Sequence, residues 1–197
     1  MNLPNKLTVL RIILTPVFMA LMLIDFPCHY LIALIVFGVA AFTDMLDGKI
    51  ARARNLVTSF GKFLDPLADK MLTTSAFLGF IAHDDNIGGW QITWVVFIVL
   101  FREFLISSLR LIVVSSETKK VIAANIWGKL KTVTQIAAIV LGIAFAQLKE
   151  CFFTDGGLIE KGLNIGFNVV LWASTVLCVI SGAIYLYQNK EFVNTTK

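Results

Sequence analysis

Asp44-Met45-Leu46-Asp47-Gly48-Lys49-Ile50-Ala51-Arg52, then eight residues, then Gly61-Lys62-Phe63-Leu64-Asp65-Pro66-Leu67-Ala68-Asp69, is the stretch whose reading decides this chain. It sets four carboxylates within 26 positions, at the junction of two segments otherwise apolar enough to cross a bilayer. Ionisable side chains beside membrane helices are costly to place and mark function by default. Asp44 and Asp47, spaced i, i+3, share a helix face near the end of one segment. Asp65 and Asp69, spaced i, i+4, open the next, where Pro66 suits a first helical turn because its missing N–H is least needed there. An antiparallel hairpin turning near residues 49–62 brings both pairs to one depth. Four carboxylates that close repel one another, and no matching run of cations stands beside them, so the pattern calls for a bound cation.

An all-aspartate donor set suits a hard divalent ion, Mg²⁺ or Mn²⁺, better than zinc, which favours His or Cys. Two such ions bridging a pyrophosphate stabilise both the attacking and the leaving oxygen. Gly48 and Gly61 admit close approach of a nucleotide or of an opposing helix, and Ala51 keeps the same face small. Arg52 is a natural partner for a phosphate oxygen. The plainer alternatives are close helix packing for Gly48, Gly61 and Ala51, and an ion-pair cluster of the four aspartates with Arg52, Arg54 and Lys70.

Composition sets the frame for this motif. The 197 residues are 57% hydrophobic with a mean hydropathy of +0.81, and only 15% are charged against the ~25% usual in soluble domains. That excludes an ordinary soluble domain. Apolar stretches at 7–25, 29–46, 66–83, 91–114, 132–148 and 165–187 predict an all-α, polytopic membrane protein with six transmembrane helices, one domain covering 1–197. The first reads as a retained span and not a signal peptide, since no small-x-small cleavage site precedes Asp25, and Pro16 is expected to bend it. Lysine and arginine divide 15 to 2 between the two sides when the N-terminus is placed inside, which puts both termini and the acidic motif in the cytoplasm. Cys28, Cys151 and Cys178 show neither paired nor metal-ligand spacing and read as small apolar residues, a Cys28–Cys151 disulfide on the outer face being the alternative. His29 and His83 fall near outer loops, away from the acids, so histidine chemistry is not expected.

The pattern D-x2-D-G-x2-A-R-x8-G-x3-D-x3-D is complete here with every spacing kept, and in it the chain resembles the CDP-alcohol phosphotransferases, integral membrane enzymes that build phospholipid headgroups. The resemblance implies that Asp44, Asp47 and Asp65 are metal ligands and that Asp69 is both ligand and the base that deprotonates the acceptor hydroxyl. It implies two Mg²⁺ or Mn²⁺ ions, a homodimer, and a donor cytidine diphosphate lying across Gly48, Ala51, Arg52, Thr58 and Gly61. Asn5 and Thr8 match a family stretch bordering the donor nucleotide, with a cap before the first span as the alternative.

Beyond the motif the chain resembles the bacterial phosphatidylglycerophosphate synthases of that family. The residues that carry this are Leu3 to Thr8 with Arg11 and Pro16, Phe63 to Lys70, Arg102-Glu103-Phe104 with Ser108-Leu109-Arg110, and Gly128 to Thr132. The implied reaction moves the phosphatidyl group of CDP-diacylglycerol to sn-glycerol 3-phosphate, at the cytoplasmic (inner) membrane, with membrane lipids as surroundings and no nucleic-acid partner. A dianionic acceptor needs cations beside the metal site, and Arg102, Arg110, Lys129 and Lys131 lie at the cytoplasmic level to supply them. The alternatives are pairing of Arg102 with Glu103 or a motif aspartate, and simple positive-inside anchoring by Lys129 and Lys131. Rival functions are the same fold with phosphatidylglycerol, serine or inositol phosphate as acceptor, and, from another class, a divalent-cation transporter. Acids gathered at one rim, without midplane placement or repeat symmetry, speak against transport.

Overall fold

Apolar segments in lipid must satisfy every backbone N–H and C=O internally, and helices do so within a single segment. The computed structural model describes residues 2–53, 59–83, 90–115, 126–152 and 157–188, and among the described residues all regular structure is helical. The order is α1 (Leu3–Leu23), α2 (His29–Ala53), α3 (Ser59–Ala82), α4 (Gln91–Ser115), α5 (Ile126–Phe152) and α6 (Leu158–Gln188). Each expected apolar stretch has its helix, and α1 runs unbroken through Pro16. Among the described residues five helices are long and apolar enough to cross a membrane; α3 is the exception because Lys62, Asp65, Asp69 and Lys70 crowd its first half. Exposed Ile13, Ile35, Phe97, Phe101, Val169 and Val176 coat the outside of the bundle with apolar surface that water would not tolerate. The protein is a multi-pass helical membrane protein.

Two features of the packing sharpen the expected hairpin. Helix α2 continues to Ala53 and α3 begins at Ser59, so both halves of the acidic motif are helical and only the interval between those residues joins them. Among the described residues α2 and α3 touch sparingly, while α1 packs along both, so the first span is wedged between the two acid-bearing helices. Helix α5 packs on α6 and α2, and α4 on α6 and α3.

Lipid tails are as apolar as leucine, so close packing rather than water avoidance holds such helices together. The core is built of Phe18, Phe37, Phe77, Phe80, Ile139, Ile143, Phe167 and Leu171, with Phe18 and Phe37 rings 5.5 Å apart. Gly142 of α5 lets the Phe80 and Phe167 rings close over it: a Cβ there would meet Phe167 Cε2 and Phe80 Cζ at 2.7 Å. At its C-terminal end the last turn of α1 leaves carbonyls without helical donors. His29 Nδ1 lies 3.1 Å from the Leu21 oxygen and His83 Nε2 2.7 Å from that of Met22, so both histidines act as donors that cap α1. Cys28 and Cys151 are exposed free thiols and Cys178 is buried, so the alternative disulfide is not formed.

Candidate active site

The site grows from one face of α1. Its buried positions, Pro4, Asn5, Thr8, Arg11, Thr15, Phe18 and Met22, recur at helical spacing. The half nearer the N-terminus is polar because it meets acids, and the other half is apolar because it meets the core. Thr8 Oγ1 donates to Asp65 Oδ1 at 2.7 Å and stands 3.5 Å from Asp47 Oδ2, linking the α2 pair of acids to the α3 pair. One turn on, Arg11 Nη1 lies 2.5 Å from Asp44 Oδ1 and Nη2 2.5 Å from Asp47 Oδ2. Arg11 and Asp47 are buried, whereas the Asp44 side chain is 46% exposed and Asp65 and Asp69 lie open. The counter-charge that sequence inspection did not find beside the acids therefore comes from α1.

A second cluster gathers side chains of α3, α4, α5 and α6. Glu103 Oε1 accepts from Arg102 Nη1 at 3.0 Å and from Lys131 Nζ, joining α4 to α5. Arg102 Nη2 donates to Ser181 Oγ of α6 at 2.8 Å, and Gly182 leaves room for the arginine stem, since a Cβ there would stand 3.1 Å from Arg102 Cγ. Lys70 donates to Ser107, whose hydroxyl in turn donates to the Glu103 carbonyl at 2.7 Å. Asp69 lies within electrostatic reach of both clusters, of Asp44 and Arg11 in the first and of Lys131 and Glu103 in the second.

Of the residues singled out in the sequence, Asn5, Thr8, Asp44, Asp47 and Asp65 gather at α1, and Arg102 and Lys131 meet through Glu103. Lys129, two positions from Lys131, lies on the exposed side of α5. Gly48, Ala51 and Arg52 fall in the last turns of α2, Gly61 in the first turn of α3 and Arg110 in α4. Thr58 and the side chains of Ala51, Arg52 and Arg110 lie outside the described residues. Sequence reasoning gave no site role to Arg11, Glu103 or Ser181. For Arg11 the signal was present: an arginine set within an apolar stretch, three residues from Thr8 and so on its helix face.

The donors suit a hard divalent ion in kind, being carboxylate oxygens throughout. In arrangement the positive charge against Asp44 and Asp47 is the Arg11 guanidinium, and among the described residues no three acid, His or Cys side chains stand close enough together to hold an ion. The pocket thus already accommodates a cation between two of the acids.

Known proteins resemble this chain along nearly its whole length. Residues 1–186 match the family model described as CDP-alcohol phosphatidyltransferase. A Bacillus subtilis protein named CDP-diacylglycerol--glycerol-3-phosphate 3-phosphatidyltransferase is 37% identical, over 99% of this chain and 98% of the relative. Proteins of the same name from Haemophilus influenzae and Rickettsia bellii are 36% and 32% identical, over 96% and 97% of this chain and 94% and 97% of theirs. A full-length match of this kind, on a helical bundle whose first three helices bring the acids of the motif together, has one reading: the chain belongs to the CDP-alcohol phosphatidyltransferase family.

Proposed function

We propose that this protein transfers the phosphatidyl group of CDP-diacylglycerol to sn-glycerol 3-phosphate, releasing CMP and forming phosphatidylglycerophosphate. The observation that carries the reading is that Asp69 lies within electrostatic reach of both an acid cluster suited to a cation and a diphosphate and a cation cluster suited to a phosphate dianion. The near-full-length relatives bearing that enzyme name support it.

Members of the family are generally divalent-metal dependent. Asp44, Asp47, Asp65 and Asp69 are the residues proposed to hold Mg²⁺ or Mn²⁺, two ions per site, which when bound neutralise the donor diphosphate. Asn5, Thr8, Gly48, Ala51, Arg52, Thr58 and Gly61 are proposed to border the donor. Arg102, Arg110, Lys129 and Lys131 are proposed to receive the acceptor phosphate, with Glu103 setting the angle of two of them. Asp69 takes the proton from the acceptor's primary hydroxyl. That oxygen forms a bond to the lipid-linked phosphorus, the bond from this phosphorus to the bridging oxygen breaks, and CMP departs with the electron pair. Such transfers rest on positioning and charge stabilisation more than on covalent participation of the protein.

The chain works in this reading as a single catalytic domain, a homodimer in the cytoplasmic membrane with both termini and the acids inside, as the charge asymmetry supports. The test is an assay of the purified enzyme with labelled CDP-diacylglycerol against glycerol 3-phosphate, serine, inositol phosphate and phosphatidylglycerol, with and without Mg²⁺. Glycerol 3-phosphate is expected to be the preferred acceptor. Equal use of any of the others overturns the acceptor assignment while leaving the phosphotransferase one intact.

A further inference from the structure

Arg11 lies on the α1 face wedged between α2 and α3, and its side chain is 0% exposed. One guanidinium spans both acids of the α2 pair, Nη1 to Asp44 and Nη2 to Asp47, each at 2.5 Å. Its backbone is fastened by Thr15, whose Oγ1 donates to the Arg11 carbonyl at 2.9 Å. Its charge is permanent, because a guanidinium is not deprotonated in a protein. Its hydrogen-bonding capacity is nevertheless not filled. Among the described residues the buried Nε finds no acceptor, and Nη1 meets Asp44 as an ion pair without an aligned hydrogen bond. Such a side chain is held in place by charge more than by a closed network of hydrogen bonds.

We propose that Arg11 is the resident counter-cation of Asp44 and Asp47, and that it competes with the divalent metal for these two carboxylates. The inference rests on the metal role proposed for the aspartates. In the metal-free protein Arg11 offsets the repulsion among the acids and keeps α1 docked on α2. When a divalent ion is offered, the same carboxylate oxygens face two positive partners that repel each other at contact distance. Metal affinity is lowered by the work of drawing Arg11 away. Asp44 is the acid it gives up more readily, since its half-exposed carboxylate is reached by water, while Asp47 is desolvated. Arg11 is thus a positioning residue that acts on the metal through its ligands.

The experiment measures Mn²⁺ binding to the full-length protein in detergent by electron paramagnetic resonance, together with its thermal midpoint in chelator and in Mn²⁺. Arg11→Gln is expected to bind Mn²⁺ roughly tenfold or more tighter than wild type, the equivalent of one charge-assisted contact no longer in competition. The same variant is expected to melt below wild type in chelator and to recover most of the difference when Mn²⁺ is added. A folded Arg11→Gln protein that binds Mn²⁺ no tighter, or more weakly, overturns the proposal and leaves Arg11 a structural residue. If that variant does not fold, Arg11→Lys carries the same test. Its ammonium cannot span both acids, so Mn²⁺ affinity should rise by a smaller factor, and unchanged or weaker binding refutes the competition. Asp65→Asn separates the two readings, because Mn²⁺ binding that survives it overturns the metal site itself, and this proposal with it.

Discussion

Glu103→Gln probes the cation cluster with the least change of shape. Glu103 Oε1 meets Arg102 Nη1 at 3.0 Å and also Lys131 Nζ, and the three side chains are 19%, 14% and 9% exposed. With the carboxylate the trio carries one net positive charge, and with an amide it carries two. Truncating one partner of a buried pair costs ~3–5 kcal/mol, because the remaining charge stays buried and uncompensated. The amide oxygen still accepts one hydrogen bond, so the loss belongs at the lower end, ~3 kcal/mol. A dianionic acceptor supplies the missing negative charge. The variant is therefore expected to melt below wild type in detergent and to gain more from saturating glycerol 3-phosphate than wild type does. Ligand stabilisation follows RT ln(1 + [L]/Kd). The larger gain reads as tighter acceptor binding, with a ceiling of about a hundredfold if all ~3 kcal/mol is recovered. Turnover should fall at the same time, since Arg102 and Lys131 lose the group that orients them. A variant with the wild-type midpoint, or with no larger response to glycerol 3-phosphate, refutes the idea that this trio receives the acceptor.

Chelation should abolish turnover and Mg²⁺ or Mn²⁺ restore it, while Asp44→Asn, Asp47→Asn or Asp65→Asn should lower activity by about 10³-fold or more in the same assay. Asp69→Asn should lose roughly 10²–10⁴-fold in transfer while still retaining CDP-diacylglycerol in a binding measurement; near-normal turnover would assign the proton to another group. Arg110→Ala should raise the KM for glycerol 3-phosphate by about 10–150-fold and leave that for CDP-diacylglycerol unchanged. Gly142→Ala drives a Cβ to 2.7 Å from two aromatic rings and should cost ~1–3 kcal/mol of stability, seen as a lower melting midpoint. It should spare both KM values, because it lies about 16 Å along α5 from Lys131 at 1.5 Å per residue.

The six helices were legible because each apolar run is long enough to carry its own signal, and the acids because their spacing survives any packing. What stayed hidden was relational. That α1 lies between α2 and α3 depends on which helix faces are small and which polar, and no pairwise spacing in one chain reports it. Arg11 drew no site role from its sequence position, and it is the inward turn of the face it shares with Thr8 and Thr15 that assigns it one. Glu103 was legible only as a neighbour of Arg102; its second partner, Lys131, is 28 positions away on another helix. The turn of the acidic hairpin was placed correctly but drawn too wide, because α2 runs on to Ala53 and α3 already begins at Ser59. Hydropathy alone ends a span where the charges begin.

The wedge formed by α1 also bears on how the molecule is made. Thr8, Arg11 and all four motif aspartates precede α4 in the chain, so synthesis delivers every member of the acid cluster before the cation cluster exists. Arg11 is made first, on a span whose acidic partners among the described residues, Asp44 and Asp47, arrive one helix later. The ion pairs that neutralise Arg11 can form only once α2 has brought Asp44 and Asp47 to it. A fusion that separates α2 from α1 is thus expected to lower the recovery of folded protein, a loss read before any substrate is offered.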